Sequence, residues 1–209
     1  MKVAILGSGN MGSAFARRLS ASGHDVTIAS KKPEHAQEVA GKVSARAVPL
    51  ANLAQDADII IAATPYEQQV NGLRSVGKVS GKTVIEISNP LKPDYSGLVV
   101  GHTTSAAEEI AKALPGTKVI KAFNTIFAQV LNDGADFGGS RRAAVFYAGD
   151  DEAAKESVRA LIESMNFEAT DAGPLHNARY LEPMGMLNIW FGYMAKRGTD
   201  IAPAWLSRS

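Results

Sequence analysis

The sequence predicts an α/β protein: a doubly wound, mostly parallel sheet with helices on both faces and a smaller C-terminal portion. Three observations lead there. Short apolar runs bounded by Gly, Pro, Asn or Asp alternate with longer segments of helical periodicity, which is the punctuation of βα units. The first apolar run feeds directly into three glycines spaced G-x-G-x-x-G, Gly7, Gly9 and Gly12, with a helical segment behind them. A chain of 209 residues, 45% of them hydrophobic, has enough apolar material for a substantial core.

Taken in order, residues 3–6 read as the first strand and residues 11–22 as the first helix. Further strands are expected at 25–29, 45–48, 58–63, 83–88 and 118–122, separated mostly by helical segments such as 34–42 and 66–76. Nearly continuous apolar strands alternating with helices imply a parallel sheet covered on both faces. Ser105 and Glu108 stand three apart ahead of a helix at 106–114 and read as a capping box, while Pro115-Gly116 stops that helix. After Asn124 the composition shifts: Asn132-Asp133-Gly134 and Gly138-Gly139 mark a loop-rich passage, followed by a strand at 143–147 and a helix at 151–165. A loose domain boundary is therefore placed between 123 and 124, giving units at 1–123 and 124–209. The last segment, 178–196, is apolar on almost every face and interrupted by Pro183 and Gly192, which predicts a buried helix. Trp190, Phe191 and Tyr193 are also residue types that anchor interfaces, so a homodimer contact is the other reading of this segment.

Composition excludes several functions. Lys and Arg total 22 against 21 Asp and Glu, a formal +1, so no global field draws the chain to nucleic acid or an anionic membrane. There is no cysteine, which removes disulfides, thiolate nucleophiles and thiolate-bound metals. The first apolar run is too short for a signal peptide, and no stretch approaches the roughly 18 apolar residues of a membrane span, so a soluble cytoplasmic protein is expected. None of His24, His35, His102 and His176 lies in a metal-ligand spacing, and a G-x-S-x-G nucleophile elbow is absent.

The glycine fingerprint follows a strand and opens a helix, the context that makes it a Rossmann-type dinucleotide site. Gly7 permits the tight turn, Gly9 lets the backbone approach a pyrophosphate, and Gly12 lets the helix pack on the strand. The second strand ends roughly 20 residues further on, where a carboxylate normally holds the ribose hydroxyls of NAD. Here stand Ser30, Lys31 and Lys32 instead. A carboxylate would repel a 2′-phosphate, whereas these residues attract one, each charge-assisted contact being worth about 1.5–3 kcal/mol. NADP(H) is the cofactor this pattern selects, with His35 one helical step on as a further donor or a stacking surface for adenine. A solvated surface pair of lysines is the plainer alternative.

Ligands of open α/β sheets lie outside the carboxyl ends of the strands. Thr64-Pro65 and Asn89-Pro90 stand at two such ends and are expected to line the nicotinamide half, with strand termination as their bland explanation. Hydride transfer to a carbonyl needs a proton donor, but transfer between two rings needs chiefly that they be held face to face. The catalytic residue is left unassigned. His102-Thr103-Thr104 lies in a polar loop that is explained equally well as surface. Lys121 falls within a strand, so Asn124-Thr125 at its carboxyl end read as polar contacts to a ring.

These stretches resemble a known family. ILGSGNMGSAFARRLSASGHDVTIASKK, VIKAFNTIFAQVL and AGDDEAAKESVRALIESMNFEATDAGPLHNARYLEP are similar to the NADPH-dependent coenzyme F420 reductases and to the related reductase domain of STEAP proteins. The resemblance spans nearly the whole chain. It implies an NADP-binding Rossmann domain with a smaller C-terminal portion that completes the acceptor site, often dimeric, passing hydride between NADP(H) and a deazaflavin (F420) or a flavin. Carried over by motif, Ser8, Asn10 and Met11 touch the pyrophosphate. Ser30 and Lys31, with Lys32 or His35, take the 2′-phosphate. Thr64, Gln68 and Asn89 face the nicotinamide half, and Asn124, Thr125 and Ile126 border the second ring. The archaeal members tend to carry histidine in place of Asn124 and proline in place of Phe127, and the acceptor set therefore includes riboflavin, FMN and FAD beside F420. Two other functions fit the sequence: an imine or ketone reductase of pyrroline-5-carboxylate reductase type, and an NADP(H)-binding redox sensor without turnover.

Overall fold

A computed structural model describes residues 1–139 and 141–205. Eight strands, β1 (Lys2–Leu6), β2 (Asp25–Ala29), β3 (Ala45–Ala47), β4 (Ile59–Ala62), β5 (Thr83–Glu86), β6 (Lys118–Ala122), β7 (Ala144–Gly149) and β8 (Glu168–Asp171), form one sheet. Their spatial order is β3-β2-β1-β4-β5-β6-β7-β8. Every pairing is parallel except β6 with β7, which is antiparallel. The helices are α1 (Asn10–Ala21), α2 (Pro33–Gly41), α3 (Tyr66–Ser75), α4 (Ala106–Ala113), α5 (Ala128–Asp133), α6 (Glu152–Ser164) and α7 (Ala178–Ile189), the last continuing into a wider π turn at Trp190–Met194.

The two faces of the sheet follow from strand alternation. Val3, Ile5, Ile28, Ile59 and Ile61 point into one core, where Phe15 and Leu19 of α1 and Val158 and Leu161 of α6 meet them. Ala4, Leu6, Ile60, Ala62 and Val84 point into the other, beneath Leu73 of α3, Ile110 of α4 and Ala178 of α7. Strands apolar at successive positions are what burial on both faces requires. The order turns at β1, with β2 and β3 to one side and β4 to the other. That switch point opens the crevice in which ligands of such sheets lie.

Beyond β6, which ends at Ala122, the same sheet continues through the antiparallel β7 to β8, so residues on both sides of position 123 contribute strands to one sheet. Two elements were not anticipated. The six-residue α5 lies in the passage read as loop, and β8, with the sequence EATD, is a half-exposed strand at the sheet edge.

The expectation that the final segment is buried on all sides is corrected. Tyr180, Leu187, Trp190 and Tyr193 face outward, at 71%, 52%, 47% and 60% exposure, while Leu181, Glu182, Gly185 and Asn188 face inward. The small and polar positions go inside because the helix lies directly on polar strand ends. A Cβ on Gly185 would come within 2.4 Å of Asn89 Oδ1. Among the described residues, no helix is long and apolar enough to cross a membrane.

Candidate functional site

The loop between β1 and α1 is shaped by its glycines, each for a different reason. Gly7 has φ +111°, a left-handed value, and a Cβ there would lie 2.5 Å from the carbonyl oxygen of Ala63. At Gly12 a Cβ would sit 1.9 Å from the carbonyl oxygen of Gly7, so the helix closes onto the loop only without one. A Cβ on Gly9 would meet nothing within 4 Å, leaving open space in front of the backbone. Gly9 is also the N-cap of α1, with no side-chain cap and no acidic residue in the first turn. Backbone N–H groups of that turn therefore point into the space, and together with the helix dipole they suit an anion of pyrophosphate size.

Beside this loop lies a cavity of about 340 Å³ whose walls include Gly7, Ser8, Gly9, Ser30, Lys31, Lys32 and His35. No carboxylate lines it. Lys31 Nζ donates to Gln68 Oε1 at 3.2 Å, and Ser30 Oγ donates to the carbonyl oxygen of Lys32 at 2.7 Å. Two ammonium groups without an acidic neighbour in the wall give the cavity a positive end. Thr64, Pro65 and Gln68 line this cavity too. They thus stand with the lysines, apart from Asn89, with which they were grouped in the sequence.

A second cavity, of about 290 Å³, is bounded by Asn10 and Met11 of α1, by Asn89, and by Asn124, Thr125 and Ile126 after β6. Gly185, Asn188 and Ile189 of α7 and the rings of Tyr95, Phe127 and Tyr193 complete it. Gly12 and Pro90 line neither cavity. Gly12 serves the packing just described, and Pro90 is buried, its carbonyl oxygen accepting from the Val99 N–H at 2.7 Å. His102 is exposed and also outside both. Tyr95 and Tyr193 are the titratable side chains of this wall; it contains no carboxylate, imidazole or amine.

An exchange of amide hydrogen bonds fixes the polar floor. Asn89 Nδ2 donates to the carbonyl oxygen of Asn124 at 2.7 Å, and Asn124 Nδ2 donates to Asn89 Oδ1 at 2.9 Å and to the carbonyl oxygen of Leu181 at 2.7 Å. Asn188 Nδ2 donates to the carbonyl oxygen of Thr125 at 3.0 Å. Phe123, just before, holds φ +61°. That conformation is unusual for a bulky residue and costs on the order of 1–3 kcal/mol. It turns the chain so that the Phe123 ring packs edge-on against Phe15 at 5.0 Å, while Asn124 and Thr125 turn to the cavity. Thr64 Oγ1, Ser88 Oγ, Asn124 Oδ1 and Thr125 Oγ1 are buried without a hydrogen-bond partner. All four lie just beyond the carboxyl ends of β4, β5 and β6, and Thr64, Asn124 and Thr125 line the two cavities, where a ligand or water can satisfy them.

Under this floor sits a charge cluster that sequence spacing did not reveal. Lys121 of β6, Glu86 of β5 and Glu182 of α7 are each 0% exposed. The Lys121 ammonium donates to Glu86 Oε2 at 2.5 Å, to the carbonyl oxygen of Ser88 at 2.6 Å and to Glu182 Oε1 at 2.9 Å. Those three bonds exhaust its donors. Glu86 Oε1 also accepts from Gln69 Nε2 at 3.0 Å and from the Ser88 N–H at 2.6 Å. Glu182 accepts from the N–H groups of Ala106 and Ala107 at the start of α4. Burial pushes the Glu182 carboxyl above its ordinary range, and Lys121 opposes that rise. Lys121 is consequently an internal tie and not a proton donor to the cavity. Arg179 adds a surface link, donating to both oxygens of Glu108 at 2.9 and 2.6 Å. The inward Gly185 and Asn188, set in an otherwise apolar run, were the available signal that α7 faces a polar site.

Comparison with known proteins agrees with this architecture. The family model described as NADP oxidoreductase, coenzyme F420-dependent, matches residues 2–90. The chain is 32% identical over 207 residues to the F420-dependent NADP reductase of Methanothermobacter marburgensis, covering 90% of this chain and 91% of that one. It is also 32% identical over 193 residues to the metalloreductase STEAP3 of Rattus norvegicus, a match that covers 90% of this chain but 38% of the relative. A crystal structure from Arthrobacter sp. FB24, described as an F420-dependent NADP reductase, superimposes with a TM-score of 0.84 at 28% identity, covering 98% of this chain and 100% of that one. With its fingerprint loop, its doubly wound sheet and a relative aligned over nearly its full length, the chain belongs to the F420-dependent NADP reductase family and is an NADP-dependent oxidoreductase.

Proposed function

We propose that the chain binds NADP(H) across the two cavities and exchanges hydride with a deazaflavin or flavin ring held in the second. The observation that carries this reading is the pair of cavities on either side of the α1 N-terminus, one lysine-rich and one walled by amides and aromatic rings. The open face of Gly9 and the uncapped first turn of α1 fit the pyrophosphate, and Ser30, Lys31 and Lys32, with His35, fit the 2′-phosphate. When bound, NADPH supplies two electrons as hydride, and the acceptor ring takes these with one proton from solvent. The chain's own part is placement: Asn89 and Asn124 orient polar edges, Met11, Ile126 and Ile189 present apolar surface, and α7 screens the site from water. A wall without carboxylate, imidazole or amine suits ring-to-ring transfer, in which the cofactors carry the chemistry. A homodimer through the outward Leu187, Trp190 and Tyr193 covers apolar surface that a monomer would leave in water.

NADPH oxidation with F420, FMN, FAD or riboflavin tests the activity, with NADH as the comparison. Reduction of at least one acceptor, faster with NADPH than NADH, is the expected result. Tight NADPH binding with all four acceptors unreduced would overturn it and point to a sensor. Sedimentation at micromolar concentration, with Trp190→Glu as the disrupting variant, tests the dimer.

A further inference from the structure

One buried carboxylate reaches the loops of both cavities without lining either. Glu86 Oε1 accepts from the Ser88 N–H at 2.6 Å and from Gln69 Nε2 at 3.0 Å, and Oε2 accepts from the Lys121 ammonium at 2.5 Å. Lys121 also donates to the carbonyl oxygen of Ser88 at 2.6 Å. Ser88 is therefore held at both polar atoms of its backbone, and the next residue is Asn89, whose amide builds the floor of the second cavity. On the other side Gln69, fully buried in α3, donates the same Nε2 to the carbonyl oxygens of Ala62 and Thr64 at 3.2 and 3.0 Å. Its Oε1 is buried without a partner, so every hydrogen bond of this side chain runs through Nε2. Thr64 lines the first cavity, while Gln69, Glu86 and Lys121 line neither.

We infer that Glu86 is a positioning residue for hydride transfer: through Gln69 and Ser88 it fixes the loop after β4, which borders NADP(H), against the loop after β5, which borders the acceptor ring. This role depends on the proposed seating of cofactor and acceptor in the two cavities. The β4–β5 ladder ends at the pair Ala62 and Glu86, so beyond it the separation of the two loops is set by side chains. A buried charged network offers little net stability over apolar side chains of similar volume. Its presence at the end of strands otherwise filled by Ile61, Val84 and Ile85 is explained by what it holds. Hydride transfer is sensitive to such holding, since a misplacement of about 1 Å costs on the order of a hundredfold in rate.

Gln69→Leu keeps the volume and the pairing of Lys121 with Glu86 and Glu182 but deletes the link to Thr64. In single-turnover stopped flow, with NADPH and whichever of F420, FMN, FAD or riboflavin the wild type reduces, the transfer rate is expected to fall roughly 10–100-fold. NADPH affinity and the KM of the acceptor stay unchanged. Val158→Ala, in α6 on the opposite face of the sheet, lowers stability without touching the network and keeps the wild-type rate. A wild-type rate in Gln69→Leu, or an equal loss in Val158→Ala, would overturn the role. A second readout needs no acceptor. Adenosine 2′,5′-bisphosphate carries the phosphate that suits Lys31 and Lys32 but no nicotinamide, so it occupies the first cavity alone. Its binding is expected to slow deuterium exchange of the Ser88 N–H at least about fivefold in the wild type and to leave it unchanged in Gln69→Leu, which binds it equally well. If no acceptor is reduced, the proposed activity fails and this exchange measurement decides the positioning role by itself. No slowing in the wild type, or the same slowing in both proteins, overturns it.

Discussion

Replacing Lys121 by methionine removes the cation that two buried carboxylates share. Methionine approximates the length of the lysine stem, so the change deletes the charge and its three hydrogen bonds with little loss of packing. Glu86 and Glu182, both 0% exposed, keep their backbone and amide donors but lose their counter-ion. Breaking a buried pair from one side costs about 3–5 kcal/mol, a large fraction of the roughly 5–15 kcal/mol that stabilises a domain. At about 2–4 °C per kcal/mol for a chain of this size, the melting temperature falls by roughly 6–20 °C, measured by circular dichroism at neutral pH. The pH dependence carries a definite sign. The Glu182 carboxyl is already raised above its ordinary value of 4.5 by burial, and losing Lys121 raises it further. In unfolded chains it releases its proton at the ordinary value, so the variant's penalty grows as pH rises above that value and fades below it. The gap between wild type and variant therefore narrows from pH 8 to pH 5. A drop under about 2 °C, or a gap that widens on acidification, would refute the reasoning. The triple variant Lys121→Met, Glu86→Gln, Glu182→Gln is expected to regain part of the loss, because no uncompensated charge remains buried.

Lys31→Asp exchanges attraction for repulsion at the positive end of the first cavity; NADPH affinity is expected to fall roughly 10–150-fold, with NADH little changed in the same fluorescence titration. Gly9→Val fills open space, leaving the melting temperature near wild type while abolishing NADPH binding. Gly12→Ala instead places a Cβ 1.9 Å from the Gly7 carbonyl oxygen and is expected to cost about 1–3 kcal/mol of stability; a reversal of these two outcomes would contradict the assigned roles. Gly185→Ala drives a Cβ to 2.4 Å from Asn89 Oδ1 and 2.8 Å from Asn124 Nδ2. Separating those amides is expected to lower acceptor turnover roughly 10–100-fold with NADPH affinity retained, and stopped-flow turnover at wild-type rates would remove the floor from the mechanism.

What was legible in the sequence was local. Parallel strands buried on both faces are written as short apolar runs, and β1, β2, β4, β5 and β6 were placed within two residues of their ends. Strand β8 escaped because EATD at a half-exposed edge has no apolar signature, and α5 because six residues carry little periodicity. The fingerprint loop and the Ser30-Lys31-Lys32 turn were readable since each is contiguous, and they line one cavity together. Thr64, grouped with Asn89 by strand-end position, and Gln68, grouped with it by the family motif, line the cavity of Lys31 and Lys32, because place along the chain does not say towards which side of β4 a side chain leans. The ion cluster was beyond reach: Lys121 lies 35 positions from Glu86 and 61 from Glu182, and nothing in the spacing joins them.

The grip of Glu182 on the first amides of α4 has a consequence for how the acceptor wall can be watched. Helix α7 cannot swing outward without pulling this carboxylate from the Ala106 and Ala107 N–H groups of the neighbouring α4, which line neither cavity. The exchange rates of those two amide protons with deuterated solvent thus serve as a remote gauge of gating, reporting each opening of the wall at a place where no ligand can interfere.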